Sequence, residues 1–128
     1  MKFNYIYLVS SILILLYDSI YLKLFKNYFA GQVKSIQNSP ISLNISAVML
    51  SYLFIIIGFN YFVLGYNMSL SDSFLLGIII YGVYETTNWA IFKKWSVLSV
   101  IIDTLWGGCL FLLTNWTILF IKGLFSKK

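Results

Sequence analysis

Apolar positions fall in four long blocks, at about residues 3–22, 46–66, 73–92 and 97–121, separated by short polar stretches. Each block supplies about the 20 residues that an α-helix, rising about 1.5 Å per residue, needs to cross a hydrocarbon core. The blocks do not alternate apolar and polar residues, and they are about twice as long as the strands of a membrane barrel. In lipid the backbone must satisfy its own hydrogen bonds, so blocks of this kind fold as helices. The pattern predicts an all-α membrane protein: a four-transmembrane-helix bundle formed as one domain over residues 1–128.

The connections differ in length. Residues 67–72 and 93–96 are tight turns, which makes the second and third helices, and the third and fourth, antiparallel neighbours. The link at 23–44 is longer. Within and just before it Leu22, Phe25, Phe29, Val33 and Ile36 recur every three or four residues, with Lys23, Lys26 and Lys34 between them. This spacing predicts an amphipathic helix lying along the membrane interface, ended by Pro40; the alternative is a polar loop with scattered apolar residues. The first block follows Lys2 but is too long for a signal-peptide core. It also contains Asp18 and ends at Lys23 without a small-residue cleavage site, so it is read as a retained helix.

Composition agrees with this picture and narrows the chemistry. Hydrophobic residues make up 60% of the 128 residues and charged residues 10%, against roughly half and a quarter in soluble domains. Ten Tyr and four Trp suit a protein anchored at two interfaces. With no His and a single cysteine, Cys109, the ligands that usually hold zinc, copper, haem or iron–sulfur clusters are missing, and no metal or cofactor is expected. Cys109 is expected to be a buried small apolar residue. All nine basic residues are lysines in loops and tails, so the net charge of +5 marks membrane flanks rather than a nucleic-acid surface. Lys2, Lys122, Lys127 and Lys128 flank one side of the membrane. Lys23, Lys26, Lys34, Lys93 and Lys94 flank the other, here termed the Lys93 side; the two sets are too even to assign an orientation.

Three of the four acids, Asp18, Glu85 and Asp103, fall inside apolar blocks. An acid at a helix centre costs about 2.5–3.5 kcal/mol on insertion scales and characteristically faces a bundle interior. Counted from the block ends, all three lie within roughly 6–11 Å of the Lys93 side, in one layer. Tyr81, Glu85 and Asn88 share a helix face, with Tyr84 beside them, and Trp106 follows Asp103 by one turn. No basic residue lies deep in a span, so the carboxyls must share protons or bind an external cation. Lys23, Lys93 and Lys94 reach them only from the rim. The bland alternative is that the two aspartates are hydrated near the span ends while Glu85 locks helices together.

Residues 17–26 align without gaps on residues 84–93, with Asp18 opposite Glu85, which predicts two like-oriented helical hairpins. Gly77, Gly82, Gly107 and Gly108 are expected to permit close helix approach, and Asn60 and Asn115 to form interhelical hydrogen bonds.

The run from Tyr81 through Glu85, Thr87, Asn88 and Trp95, followed by Asp103, Trp106 and Gly107, resembles a family of four-helix membrane proteins, domain of unknown function 2177. That family's pattern is Tyr-x-x-Tyr-Asp-x-Thr-Asn, a Trp, then Asp-x-x-Trp-Gly, with an aspartate late in the first helix that matches Asp18. Glu85 departs from it, keeping the acid with one more methylene of reach. The resemblance covers essentially the whole chain and implies a four-helix fold, but no activity. The residues point first to transport of protons or a small cation, with Glu85 and Asp103 as exchange sites, Asp18 in support, and Tyr81, Tyr84, Asn88 and Trp106 lining the pocket. The bilayer is the expected partner, and homo-oligomerisation would help so few helices enclose a path. The alternatives are a membrane enzyme or lipid-binding protein using paired carboxylates, and an accessory subunit whose acids meet basic residues of a partner helix.

Overall fold

A computed structural model describes residues 4–127; Lys2, Phe3 and Lys128, which figured in the charge count and the first block, lie outside them. Five helices follow one another: α1 (Tyr5–Leu24), α2 (Lys26–Gln37), α3 (Ile45–Leu64), α4 (Leu70–Ile91) and α5 (Val97–Ser126). All but α2 are long and apolar enough to span a membrane.

Each span starts where a small polar side chain takes up an orphan backbone N–H. Asn4 accepts from Ile6, Asn44 from Ala47, Ser69 from Asp72 and Ser96 from Ser99, at 3.0–3.2 Å. These caps set the boundaries more finely than hydropathy does. Helix α4 begins three residues before the apolar block because Ser69 is its cap, which puts Asp72 in the first helical turn rather than in the loop. At the other end of the chain α5 runs to Ser126, five residues past the block, because its Lys-bearing tail continues the helix.

Interhelical contacts fix the topology. Asp18 meets Tyr52 and Ser10 meets Asn60, so α1 and α3 are antiparallel. Gly77 meets Gly107 and Gly82 meets Thr104, so α4 and α5 are antiparallel too. α1 and α4 run in the same sense. The second hairpin is the tighter. A Cβ on Gly77 would collide with the Gly107 carbonyl, and one on Gly107 with the Tyr81 ring, so glycine is what lets these two backbones touch.

α3 is irregular: Phe59–Leu64 forms a π-helical turn, with the Gly65 N–H bonded to the Asn60 carbonyl at 3.0 Å. The wider turn brings Asn60 against Ser10 and the Tyr7 carbonyl and seats Phe59 edge-on to Phe111, centroids 5.4 Å apart. Along the bundle the interior is layered. Ile14, Phe59, Leu110 and Phe111, all at 0% exposure, form a dry middle layer. Neutral polar pairs, Ser10–Asn60 and Ser73–Asn115, lie on the far side of it, and the acids lie toward the Lys93 side.

The long link is helical, as its periodicity predicts. α2 presents Phe29, Val33 and Ile36 as a half-buried stripe and leaves Lys26 and Lys34 exposed, although Leu22 is itself exposed. Asn38 ends it in the left-handed region, at φ 56°. This helix also has a polar task. Tyr28 reaches the Ser96 and Ser99 hydroxyls at 2.8 and 2.9 Å, and Gln32 Oε1 accepts from the Ser96 N–H at 3.1 Å, tying α2 over the start of α5.

Candidate functional site

The helix ends place the three acids at one depth. Asp18 is six residues from the end of α1 at Leu24, Glu85 six from the end of α4 at Ile91, and Asp103 six from the start of α5 at Val97. At the helical rise that is about 9 Å inside the Lys93 end in every case. Equal depth brings the three side chains into one layer, as expected from the sequence.

Within the layer each carboxyl receives a hydrogen bond from an aromatic residue. Asp18, 7% exposed, accepts from the Tyr52 hydroxyl and from Trp106 Nε1 at 2.9 Å. Asp103 accepts from the Tyr21 hydroxyl at 3.0 Å. Glu85, only 1% exposed, accepts from Trp95 Nε1 at 2.7 Å, and its carboxyl lies within hydrogen-bonding reach of that of Asp103. Tyr21 and Trp106 stack at 4.6 Å with ring planes 8° apart, so the donors to the two aspartates form one rigid unit. Through these bonds the layer ties together all four spanning helices and the turn that carries Trp95.

The other expected pocket residues are not equivalent. Tyr81 is half-buried, with its ring against Gly107, and Trp106 is a direct ligand of Asp18. Asn88 is half-buried on the Glu85 side of α4, nearer the Lys93 end. Tyr84 is 57% exposed on the outer surface and takes no place in the layer. Its counterpart in the sequence repeat, Tyr17, instead bonds Thr117 on α5 at 2.8 Å, so the repeat survives in the acids but not in the tyrosines beside them. Cys109, expected to be buried, is exposed on the outer face of α5.

Two donors escaped the sequence reading. Tyr52 was legible from depth alone, since it stands seven residues into α3 from the Lys93 end, level with the acids. Trp95 sits in the turn after α4, where a tryptophan reads as an interfacial anchor; only its folded position shows that it bonds Glu85. The donors to these carboxyls are tyrosine and tryptophan, not the rim lysines. Among the described residues no three acidic or cysteine side chains converge closely enough to hold a metal ion.

The arrangement is chemically a chain of acids and hydroxyls inside the membrane spans, and among the described residues no lysine pairs with it. A carboxyl pair in contact can hold one proton between its oxygens, and a tyrosine hydroxyl can both donate and accept. No curated protein and no solved structure matches the chain. The model of one family does, over residues 3–120. The chain belongs to that family, described as predicted membrane protein (DUF2177), and it is an integral membrane protein of four transmembrane helices.

Proposed function

We propose that this protein is a proton-coupled membrane transporter in which the Glu85–Asp103 pair takes up and releases a proton from the Lys93 side. One observation carries the reading: two carboxyls inside membrane spans, Glu85 buried and Asp103 half-buried, face each other, and among the described residues no lysine stands between them. Two negative charges at that separation in a poorly polarisable medium repel strongly, so the pair is stable as one proton shared between two acids. Intramembrane acids of this kind characteristically serve ion and proton pathways.

The surroundings favour a proton over a larger ion. Tyr21, Trp106 and Trp95 donate directly to the carboxyls, and two surface depressions between helices are lined by apolar and aromatic residues and threonines rather than by the acids. Asp18, joined to Asp103 through the stacked Tyr21–Trp106 pair, serves as a second station at the same depth. The dry layer of Ile14, Phe59, Leu110 and Phe111 beyond it is the closed barrier, so turnover requires that layer to open.

Purified protein in vesicles with a trapped pH-sensitive dye tests this. Under an imposed pH gradient, wild type should move protons. Glu85→Gln should reduce the rate at least tenfold while its helicity and detergent melting remain those of wild type. An absence of proton flux in wild type, under pH gradients and under cation gradients, overturns the proposal.

A further inference from the structure

A second feature, separate from the carboxyl pair, lies on the outside of the bundle. α1 and α5 diverge there to leave an apolar groove of about 300 Å³, walled by Ile20 and Leu24 on one side and Ile102 and Leu105 on the other. Its floor is the stacked pair Tyr21 and Trp106. The groove runs from Cys109, near mid-membrane, to Phe25 at the break between α1 and α2. It is long, apolar and sealed at its base, which suits a hydrocarbon chain.

The charge at its mouth defines the occupant. Lys23 shares a helix face with Ile20 and adjoins Leu24, and Lys26 opens the next helix; both are exposed. Among the described residues no carboxylate stands against them. Asp18, Glu85 and Asp103 point inward to tyrosine and tryptophan donors, and Asp72 is at the opposite end of the bundle. Two exposed lysines at headgroup level, Lys26 next to the groove residue Phe25 and Lys23 within reach past Ile20, complement a negatively charged headgroup joined to an acyl chain. We infer that the α1/α5 groove is a binding site for an anionic phospholipid, its headgroup held by Lys23 and Lys26 and one acyl chain laid over Tyr21 and Trp106. A chain seated there touches the same two rings that hold Asp18 and Asp103 in place.

Native mass spectrometry of the full chain, released from micelles carrying phosphatidylglycerol or phosphatidylcholine, tests the site. Wild type should retain phosphatidylglycerol at least tenfold more strongly than phosphatidylcholine. Lys23→Gln with Lys26→Gln should abolish that preference, whereas Lys93→Gln with Lys94→Gln, on the same side but away from the groove, should preserve it. Leu105→Trp, which fills the groove from a lipid-facing position, should lower retention of both lipids, and Leu119→Trp, exposed elsewhere on α5, should not. Equal retention of the two lipids by wild type overturns the inference. So does a preference that survives Lys23→Gln with Lys26→Gln, retention left unchanged by Leu105→Trp, or a preference lost equally with Lys93 and Lys94, which would reveal general surface charge only.

Discussion

The two halves of the bundle bury polar groups in opposite ways. On the far side of the dry layer, Asn60 and Ser10 pair with each other and with the Tyr7 carbonyl, and Asn115 donates to Ser73 at 3.3 Å and to the Met68 carbonyl at 3.0 Å. Those groups are neutral at every accessible pH, and their partners are fixed. On the Lys93 side lies the layer of acids, whose donors are aromatic and in which two carboxyls face each other. The first arrangement closes helix contacts and asks nothing of the solvent. The second gathers ionisable groups under aromatic donors. One small bundle therefore carries a neutral polar half and an acidic half, and substitutions should sort accordingly.

The largest effect is expected where both halves depend on one contact. Gly77→Val drives a side chain into the Gly107 carbonyl and forces α4 and α5 apart along their shared length. Overpacking that backbone crossing should cost on the order of 3 kcal/mol and lower the melting temperature in detergent more than any substitution at an acid. A Gly77→Val protein with wild-type melting would show that the glycine contact does not hold the halves together.

Next comes the layer between them. Phe111→Ala removes the ring that packs edge-on to Phe59, and should cost roughly 2–3 kcal/mol, since lipid tails replace part of what a soluble core would lose. The more telling readout is leakage. Thinning the dry barrier should raise passive proton entry into vesicles several-fold over wild type, and unchanged entry would mean that the layer is not what separates the halves.

Much of this division was legible in the sequence, because the forces behind it are local or periodic. Four apolar blocks of membrane length dictate four helices, and the lysine-spaced apolar stripe after Leu22 dictates the amphipathic α2. Counting residues from the block ends put Asp18, Glu85 and Asp103 in one layer, and the caps Ser69 and Ser96 refine that count to equal depth. What escaped depends on rotation about a helix axis, which a low-amphipathicity span does not encode. Tyr84 and Cys109 lie outside and Tyr81 half inside, and every face of these helices is apolar enough for either place. The π-helical turn at Phe59–Leu64 escaped for the same reason: it is selected by the fit of its Phe59 and Asn60 against other helices, which the local sequence does not encode.

The finest test compares one hydroxyl from each half. Ser10→Ala removes a neutral partner of Asn60, and Tyr52→Phe removes a donor to Asp18. Interhelical hydrogen bonds in membranes average about 0.6 kcal/mol, so both losses should be small. They should differ in what remains. Ser10→Ala leaves Asn60 Oδ1 with no other donor among the described residues, whereas after Tyr52→Phe Asp18 still accepts from Trp106 Nε1 at 2.9 Å. A buried acceptor left without a donor is the costlier change, so Ser10→Ala should lower the melting temperature in detergent more than Tyr52→Phe does. Melting curves of the two variants against wild type, recorded in one detergent, read this directly. A larger loss for Tyr52→Phe would show that Trp106 does not hold Asp18 without the tyrosine, and that the acidic half depends on each of its aromatic donors.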